Sequence, residues 1–306
     1  MLEFRILGPV GLWVGNSELP LNGTKQRTML AALLLAGGRV LPDYQLGEML
    51  WSKTPPETYQ AQIYTYASRL RQHLDGRAEI VRKGTGYLMR TTAGRFDYHE
   101  FEMLSHAGRA ALREGDYPYA AEVLRAALDL WHGPTLTGVT DQLAETAGPS
   151  MEEARMETLE YRIAADLALG RHEQLTPELV ALVRARPLRE RLRAQLMVAL
   201  YMSDRQADAF EVYYVGQRHL EEELGVDPGL ALRQAYQAIL TGDLNSIWQE
   251  PFGAPAGHRA PGAPSSAPDR RTILPSHLTR RAPQSEIRLG PGTRLVIDER
   301  RLYRHP

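Results

Sequence analysis

Residues 60–88 read QAQIYTYASRLRQHLDGRAEIVRKGTGYL, and their patterning decides how the first part of the chain is built. Ile63, Ala67, Leu70 and Leu74 stand at offsets 0, 4, 7 and 11. At about 100° per residue these four fall on one narrow stripe, which predicts a helix buried along one side only. Arg69 and Arg71 lie off the stripe, and Thr65, Ser68 and Gln72 face away from it. Directly afterwards, Ile80-Val81-Arg82-Lys83-Gly84-Thr85-Gly86-Tyr87-Leu88 reads as two apolar strand ends joined by a tight, cationic turn. Gly supplies the positive φ that a short hairpin loop requires. Gly84-Thr85-Gly86 is not a fragment of a phosphate loop, since no Lys-Ser/Thr follows and no helix begins there.

Upstream of this stretch, residues 4–7, 10–14 and 19–21 cluster β-formers around Gly-Pro and Gly-Asn turns, which predicts a small N-terminal sheet. Thr24 is the expected N-cap of a helix carrying apolar Met29, Leu30, Leu33 and Leu34, which Gly37-Gly38 ends. Arg27 stands where a capping box would have Glu or Gln. A second helix is expected from Asp43, again as a cap, to Trp51, with Leu46, Leu50 and Trp51 turned inward. Pro55-Pro56 closes the next turn and lets the one-sided helix start near Glu57. Sheet, three helices and a basic hairpin is the order of a winged helix-turn-helix. In that arrangement the one-sided basic helix fits the major groove of DNA, and the wing reaches the neighbouring backbone or minor groove.

The near-zero net charge hides a partition. Residues 1–95 hold 12 Lys/Arg against 7 Asp/Glu, residues 96–248 hold 14 against 25, and residues 249–306 hold 10 against 5. A basic first part suits a polyanion. The acidic middle would be repelled by it and is better suited to a protein partner. The absence of Cys excludes disulfide frameworks, thiolate metal sites and cysteine nucleophiles. Glu3 and the Gly8-Pro9 break argue against a signal peptide, and the longest apolar run, Met29 to Ala36, is too short to span a bilayer. A soluble, cytoplasmic, nucleoid-associated protein with no membrane partner is the expectation.

From Phe96 the hydrophobic period is helical, with turn signals at Gly115-Asp116, Gly170-Arg171, Asp204-Arg205 and Gly242-Asp243. LALGRHEQL (167–175) and YMSDRQADA (201–209) share one frame offset by 34 residues, the tetratricopeptide period. Roughly seven helices stacked as hairpins are expected over 96–248. Residues 249–306 are rich in Pro, Gly, Ala, Ser and Arg, a composition that reads as a disordered tail in which Thr293 to Ile297 makes one strand at most. The fold class is therefore mainly α with a small β component, a winged helix-turn-helix at 1–95 followed by an all-α, tetratricopeptide-like domain at 96–248.

The wing and helix motif, Leu70 between Arg69 and Arg71 followed by GTGYL, resembles the winged helix of OmpR/PhoB-type response regulators. Together with FRILGPV (4–10), LPLNGTKQRTMLAALLLAGGRV (19–40), LDLWHGPTL (128–136), RIAADLALGRHEQL (162–175), PLRERLRAQLMVALYMSDRQADA (187–209) and EELGVDPGLALRQAYQAIL (222–240), it makes the chain similar to the Streptomyces antibiotic regulatory protein family. That resemblance covers about residues 1–247. It implies a winged helix joined to a bacterial transcriptional activation domain, and activation of a biosynthetic gene cluster. It also implies binding to direct repeats of double-stranded DNA near the −35 region, self-association on DNA, and RNA polymerase as partner.

Arg69 is the expected base reader, because an Arg fork matches guanine O6 and N7; it also matches the base-reading Arg of the response-regulator motif. Arg71, nearer the apolar stripe, is expected to point sideways to phosphate. Thr65 offers a methyl to thymine, Tyr64 packs on sugar and phosphate, and Ser68 shares their face. Ala61 and Ser68 stand where the response regulators usually carry Arg. Arg82, Lys83 and Thr85 crown the wing, with one cation more than the response-regulator pattern has. Lys25 and Arg27, opening the first helix, suit a backbone phosphate at an exposed amide end. Trp51, Trp131 and Trp248 read as packing. Nine His lack metal spacing, and no nucleophile elbow, Walker loop or dinucleotide fingerprint occurs, so neither enzyme, metal nor cofactor is expected. Two other readings stay open: a ligand- or peptide-sensing regulator whose effector gates DNA binding, which needs a concave polar pocket on the inner helices, and a scaffold whose winged helix binds protein.

Overall fold

The computed structural model describes residues 2–244, except 16, 75, 77, 92 and 93, together with the backbones of 285–289 and 293–297. The chain opens with β1 (Leu2–Arg5), β2 (Gly11–Val14) and β3 (Ser17–Leu19). Then come α1 (Thr24–Leu35), β4 (Leu41–Pro42), α2 (Asp43–Trp51), α3 (Tyr59–Leu74), the wing strands β5 (Ala78–Lys83) and β6 (Gly86–Thr91), and β7 (Gly94–Phe96). One sheet has the order β3-β2-β1-β7, with β7 parallel to β1; the other has the order β4-β6-β5. This is a winged helix-turn-helix, as expected.

Its core follows the sequence periodicity. Ile63, Ala67, Leu70 and Leu74 are the buried residues of α3, and Met29, Leu30, Leu33, Leu34, Leu46 and Leu50 are buried on α1 and α2. The caps differ from expectation. Gly23, not Thr24, caps α1, and the Asn22 N–H donates to Gln26 Oε1 at 3.0 Å. Gln26 thus satisfies the amide just before the cap, while the Gly23 N–H donates to the Leu21 carbonyl at 3.1 Å, so no capping box forms. Pro42, not Asp43, caps α2, which frees the Asp43 carboxylate for a distant partner. The third helix begins at Tyr59, two residues after Glu57, because the Tyr59 N–H still closes a turn onto the Pro56 carbonyl at 2.9 Å.

Seven helices follow: α4 (Asp97–Arg113), α5 (Tyr117–Asp129), α6 (Asp141–Ala168), α7 (His172–Ala185), α8 (Glu190–Met202), α9 (Gln206–Leu224) and α10 (Leu230–Thr241). The 34-residue offset is structural. Gly170 and Asp204 both adopt positive φ. The bonds Gly170 N–H to Leu167 O and Arg171 N–H to Asp166 O recur as Asp204 N–H to Tyr201 O and Arg205 N–H to Leu200 O. Asp tolerates the left-handed conformation that Gly takes freely, so the two turns are interchangeable. One apolar core runs through these helices, from Ala111 and Leu124 to Leu196, Leu220 and Ile239.

A short strap, residues 131–142, fastens the winged helix to the helices. His132 N–H donates to Leu7 O, Leu136 N–H to Ile6 O, Thr137 N–H to Gly8 O and Val10 N–H to Thr137 O, at 2.8 to 3.2 Å. Thr140 then donates its N–H to Thr28 Oγ1 and its hydroxyl to Met49 O, while the Ser52 hydroxyl donates to Gln142 Oε1. Buried Asp97, the first residue of α4, accepts the N–H groups of Ile6, Leu7 and Tyr98 at 2.7 to 2.9 Å. Burial pushes its carboxyl up to about 7, against the pull of those three donors.

The expected tail, 249–306, lies outside the described residues apart from two strands, and so does Trp248. There the expectation of one strand at most is corrected: β8 (Ser285–Leu289) pairs antiparallel with β9 (Thr293–Ile297). Among the described residues no helix is long and apolar enough to cross a membrane, and no group of three or more His, Cys, Asp or Glu could hold a metal ion.

Candidate nucleic-acid interface

The exposed side of α3 is built from Gln60, Ala61, Tyr64, Thr65, Arg69 and Gln72, with Ser68 half-buried among them. Three of these are small, which lets a helix backbone come close to base edges. The Thr65 hydroxyl donates back to the Ala61 carbonyl at 2.9 Å, so what Thr65 offers outward is its methyl group. Tyr64 is 64% exposed. Arg69 is exposed at the flank of this face. The pattern is a polar, adaptable surface with one guanidinium, on a helix held from behind by four apolar anchors.

The other expected cations divide. Arg71 is half-buried: its Nε donates to the Ile80 carbonyl at 2.8 Å and its guanidinium lies 5.9 Å from the Tyr87 ring. It ties the end of α3 to the root of the wing. Arg82, expected with Lys83 to crown the wing, is turned back instead. It makes a two-pronged ion pair with Asp43 at 2.5 and 2.6 Å and stacks on Tyr87 at 4.6 Å. The Asp43 hydrogen bonds hold its guanidinium above the ordinary value. A bidentate Arg–carboxylate pair of this kind is specific and strong enough to fix a rotamer. Lys83 and Thr85 remain exposed at the tip, and the Thr85 carbonyl accepts the Asp43 N–H at 2.8 Å. The extra cation of the wing is therefore a brace between wing and α2, and Lys83 is the one that reaches outward.

The amide end of α1 is corrected in the same way. The Lys25 ammonium donates to the Leu50 carbonyl, at the end of α2, and sits 4.8 Å from the Trp51 ring. Burial lowers its pKa. Arg27 is half-buried, and its side chain lies against Gly138 of the strap, where an added Cβ would stand 3.3 Å from Arg27 Cδ. The Lys25 ammonium is thus committed within the protein, while Arg27 packs its stem on the strap. The wing itself depends on Gly86, because a Cβ there would lie 2.4 Å from the Leu41 carbonyl oxygen and push β4 off the hairpin.

Two further exposed side chains were not expected to contact DNA, although Gln72 was expected to face away from the stripe. Gln72 is exposed on the same side as Thr65 and Ser68, and Tyr44 is exposed at the start of α2, beside the Asp43 that holds the wing. The 100° projection already put Gln72 opposite the stripe; nothing local marks Tyr44.

Residues 96–240 match the family model described as bacterial transcriptional activator domain. The chain is 34% identical over 256 residues to the regulatory protein DnrI of Streptomyces peucetius, covering 79% of this chain and 93% of DnrI. The chain belongs to the Streptomyces antibiotic regulatory protein family of transcriptional activators. Family members AfsR of Streptomyces coelicolor and AfsR of Streptomyces griseus are 43% and 40% identical to it, over 79% and 97% of this chain. The chain spans only 24% and 30% of those two proteins. The S. griseus alignment spans 299 residues and so extends past residue 247 into the tail. A solved structure of Mycobacterium tuberculosis EmbR, in complex with a low-affinity phosphopeptide, superposes with a TM-score of 0.73 at 32% identity, over 79% of this chain and 65% of that one. Fold and family thus agree with the winged helix and the helical domain seen here, and family membership implies DNA binding.

Proposed function

We propose that this regulator binds DNA in a sequence-specific manner through α3 and the wing, and activates transcription of a secondary-metabolite gene cluster. It does so from direct repeats near the −35 region, by recruiting RNA polymerase. The observation that carries the DNA reading is the outward face of α3, which joins the Arg69 guanidinium to small residues and the Thr65 methyl on a helix anchored along one stripe. Arg69 reads guanine, Thr65 meets a thymine methyl, and Gln72 offers the amide that pairs with adenine N6 and N7. Lys83 and Tyr64 hold the backbone, and Arg71 and Arg82 keep helix and wing at a fixed angle so that both engage one site.

The strap supports a rigid coupling of DNA binding to the acidic helices. Its hydrogen bonds leave little freedom between the first two helices, on which α3 packs, and α6, so the orientation of the helices follows from that of the operator. A template carrying protected sites from the host genome should give more transcript with the protein and RNA polymerase holoenzyme than with polymerase alone. Binding without any gain in transcript would leave DNA recognition standing and remove activation.

The effector-gated reading has one observation in its favour. A cleft of about 450 Å³ lies between the end of α1, β6, β7 and the start of α4, with Leu34, Met89, Phe96, Tyr98 and Glu102 among its walls. It sits at the joint and not on the inner helices, where that reading needs it. A cleft filled by Leu34→Trp that still binds DNA and still activates would dismiss it.

A further inference from the structure

Ten large apolar side chains are exposed among the described residues, and four of them gather on two neighbouring turns. Leu188 (42% exposed) is on the α7–α8 turn, and Leu224 (56%), Val226 (49%) and Leu230 (55%) are on or beside the α9–α10 turn. The Glu190 carboxylate accepts the Gly229 N–H at 2.5 Å and clasps the two turns together. An added Cβ at Gly229 would stand 2.7 Å from that carboxylate, so glycine permits the clasp. Val226 is the residue after a left-handed Gly225 helix end, a position that ordinarily folds back on the helix. Here it stays exposed.

Charge is arranged unevenly around this patch. Exposed Arg184 and Arg186 lie on the α7 side; the Glu153 carboxyl of α6 is held below its ordinary range chiefly by the Arg189 hydrogen bond, with Arg186 a minor contributor. Exposed Glu221, Glu222, Glu223 and Asp227 lie on the α9 side. Arg189, between the helices, is already committed to Glu153 and Glu160. The arm that enters the α7–α8 turn thus ends in Arg184 and Arg186, and the arm that enters the α9–α10 turn ends in Glu221 to Glu223, on either side of the clasp in chain order. A two-fold axis through the clasp brings each cationic arm onto the other copy's anionic arm, so the surface is complementary to itself.

We propose that the clasped α7–α8 and α9–α10 turns form the contact between two copies of this chain in a two-fold dimer, with Leu188, Leu224, Val226 and Leu230 at its centre and Arg184 and Arg186 facing Glu221 to Glu223 of the second copy. The inference does not rest on the DNA reading. Two-fold symmetry turns the two recognition helices in opposite senses, so this contact joins copies seated on separate repeats, not tandem neighbours on one direct repeat.

Sedimentation of the full chain without DNA tests it. The wild type should shift from monomer to dimer as its concentration rises through the micromolar range. Leu224→Glu with Leu230→Glu, both at exposed positions, should leave the circular-dichroism melt unchanged and abolish the dimer. Arg184→Glu with Arg186→Glu, and separately Glu222→Arg with Glu223→Arg, should each weaken it by at least about tenfold. Mixing the two charge-reversed proteins should restore a dimer, which a merely misfolded variant would not do. A wild type that stays monomeric throughout, or a dimer that none of these changes weakens, overturns the proposal, as does failure of the mixture to reassemble.

Discussion

The two sides of the winged helix use the same kind of residue for opposite ends. On the side that meets the helical domain, Lys25 and Arg27 are drawn into the protein, against the end of α2 and the strap. On the opposite side Arg69 and Lys83 stand exposed, while Arg71 and Arg82 between them brace the wing. The surplus of cations over acids in residues 1–95 therefore overstates the DNA-facing charge. A count of basic residues says that a polyanion is a plausible partner, and only the pairing of each cation says where that partner sits.

The comparison breaks first, and most strongly, at the joint. Asp97→Ala strips an acceptor from three backbone N–H groups, two of them buried at the end of β1. An orphaned buried donor costs about 1–3 kcal/mol, so urea unfolding should show a loss of at least ~2 kcal/mol. The pH dependence has a definite sign. Since the folded carboxyl is raised to about 7, above its unfolded value, the folded state holds its proton more tightly. Its contribution to stability is full below the unfolded pKa and is lost as pH rises through the folded one. Asp97→Asn should flatten that part of the stability profile between about pH 4 and 7; an unchanged slope would place the titration elsewhere.

On the far side, Arg69→Ala should cost about 1–3 kcal/mol on the cognate site and relax preference at one base pair, with folding intact. Lys83→Ala should weaken cognate and random DNA alike and reduce the salt slope by about one unit. If Arg82→Ala matched Lys83→Ala in salt slope and left thermal stability untouched, the division between brace and contact would be wrong. The smallest effect is expected at the C-terminus: a chain ending at residue 248 should melt at the temperature of the full one.

What was legible in the sequence was local and periodic. The stripe Ile63, Ala67, Leu70 and Leu74 projects onto one face from spacing alone, and all four are buried. The 34-residue frame likewise predicts two equivalent turns, because each is fixed by residues a few positions apart. What was not legible depends on distant partners. Arg82 is paired with Asp43, 39 residues away, and Lys25 with the carbonyl of Leu50, 25 residues away. No helical or strand period encodes those contacts, so a cation that looks free in sequence is claimed by tertiary structure. The caps differ for a smaller reason: Thr24 and Asp43 are good cap residues, but the helix turn already starts one position earlier, at Gly23 with a positive φ and at Pro42 in an extended conformation.

Selection of the full chain against random DNA duplexes, followed by half-turn and full-turn insertions in the enriched site, tests the central claim most directly. Tandem copies reading one face of the duplex predict enrichment of direct repeats spaced near one helical turn, about 10–11 bp. A half-turn insertion should then remove most of the cooperativity, and a full turn should restore part of it. Absence of any enriched sequence, with binding that only tracks salt, would contradict sequence-specific recognition by α3.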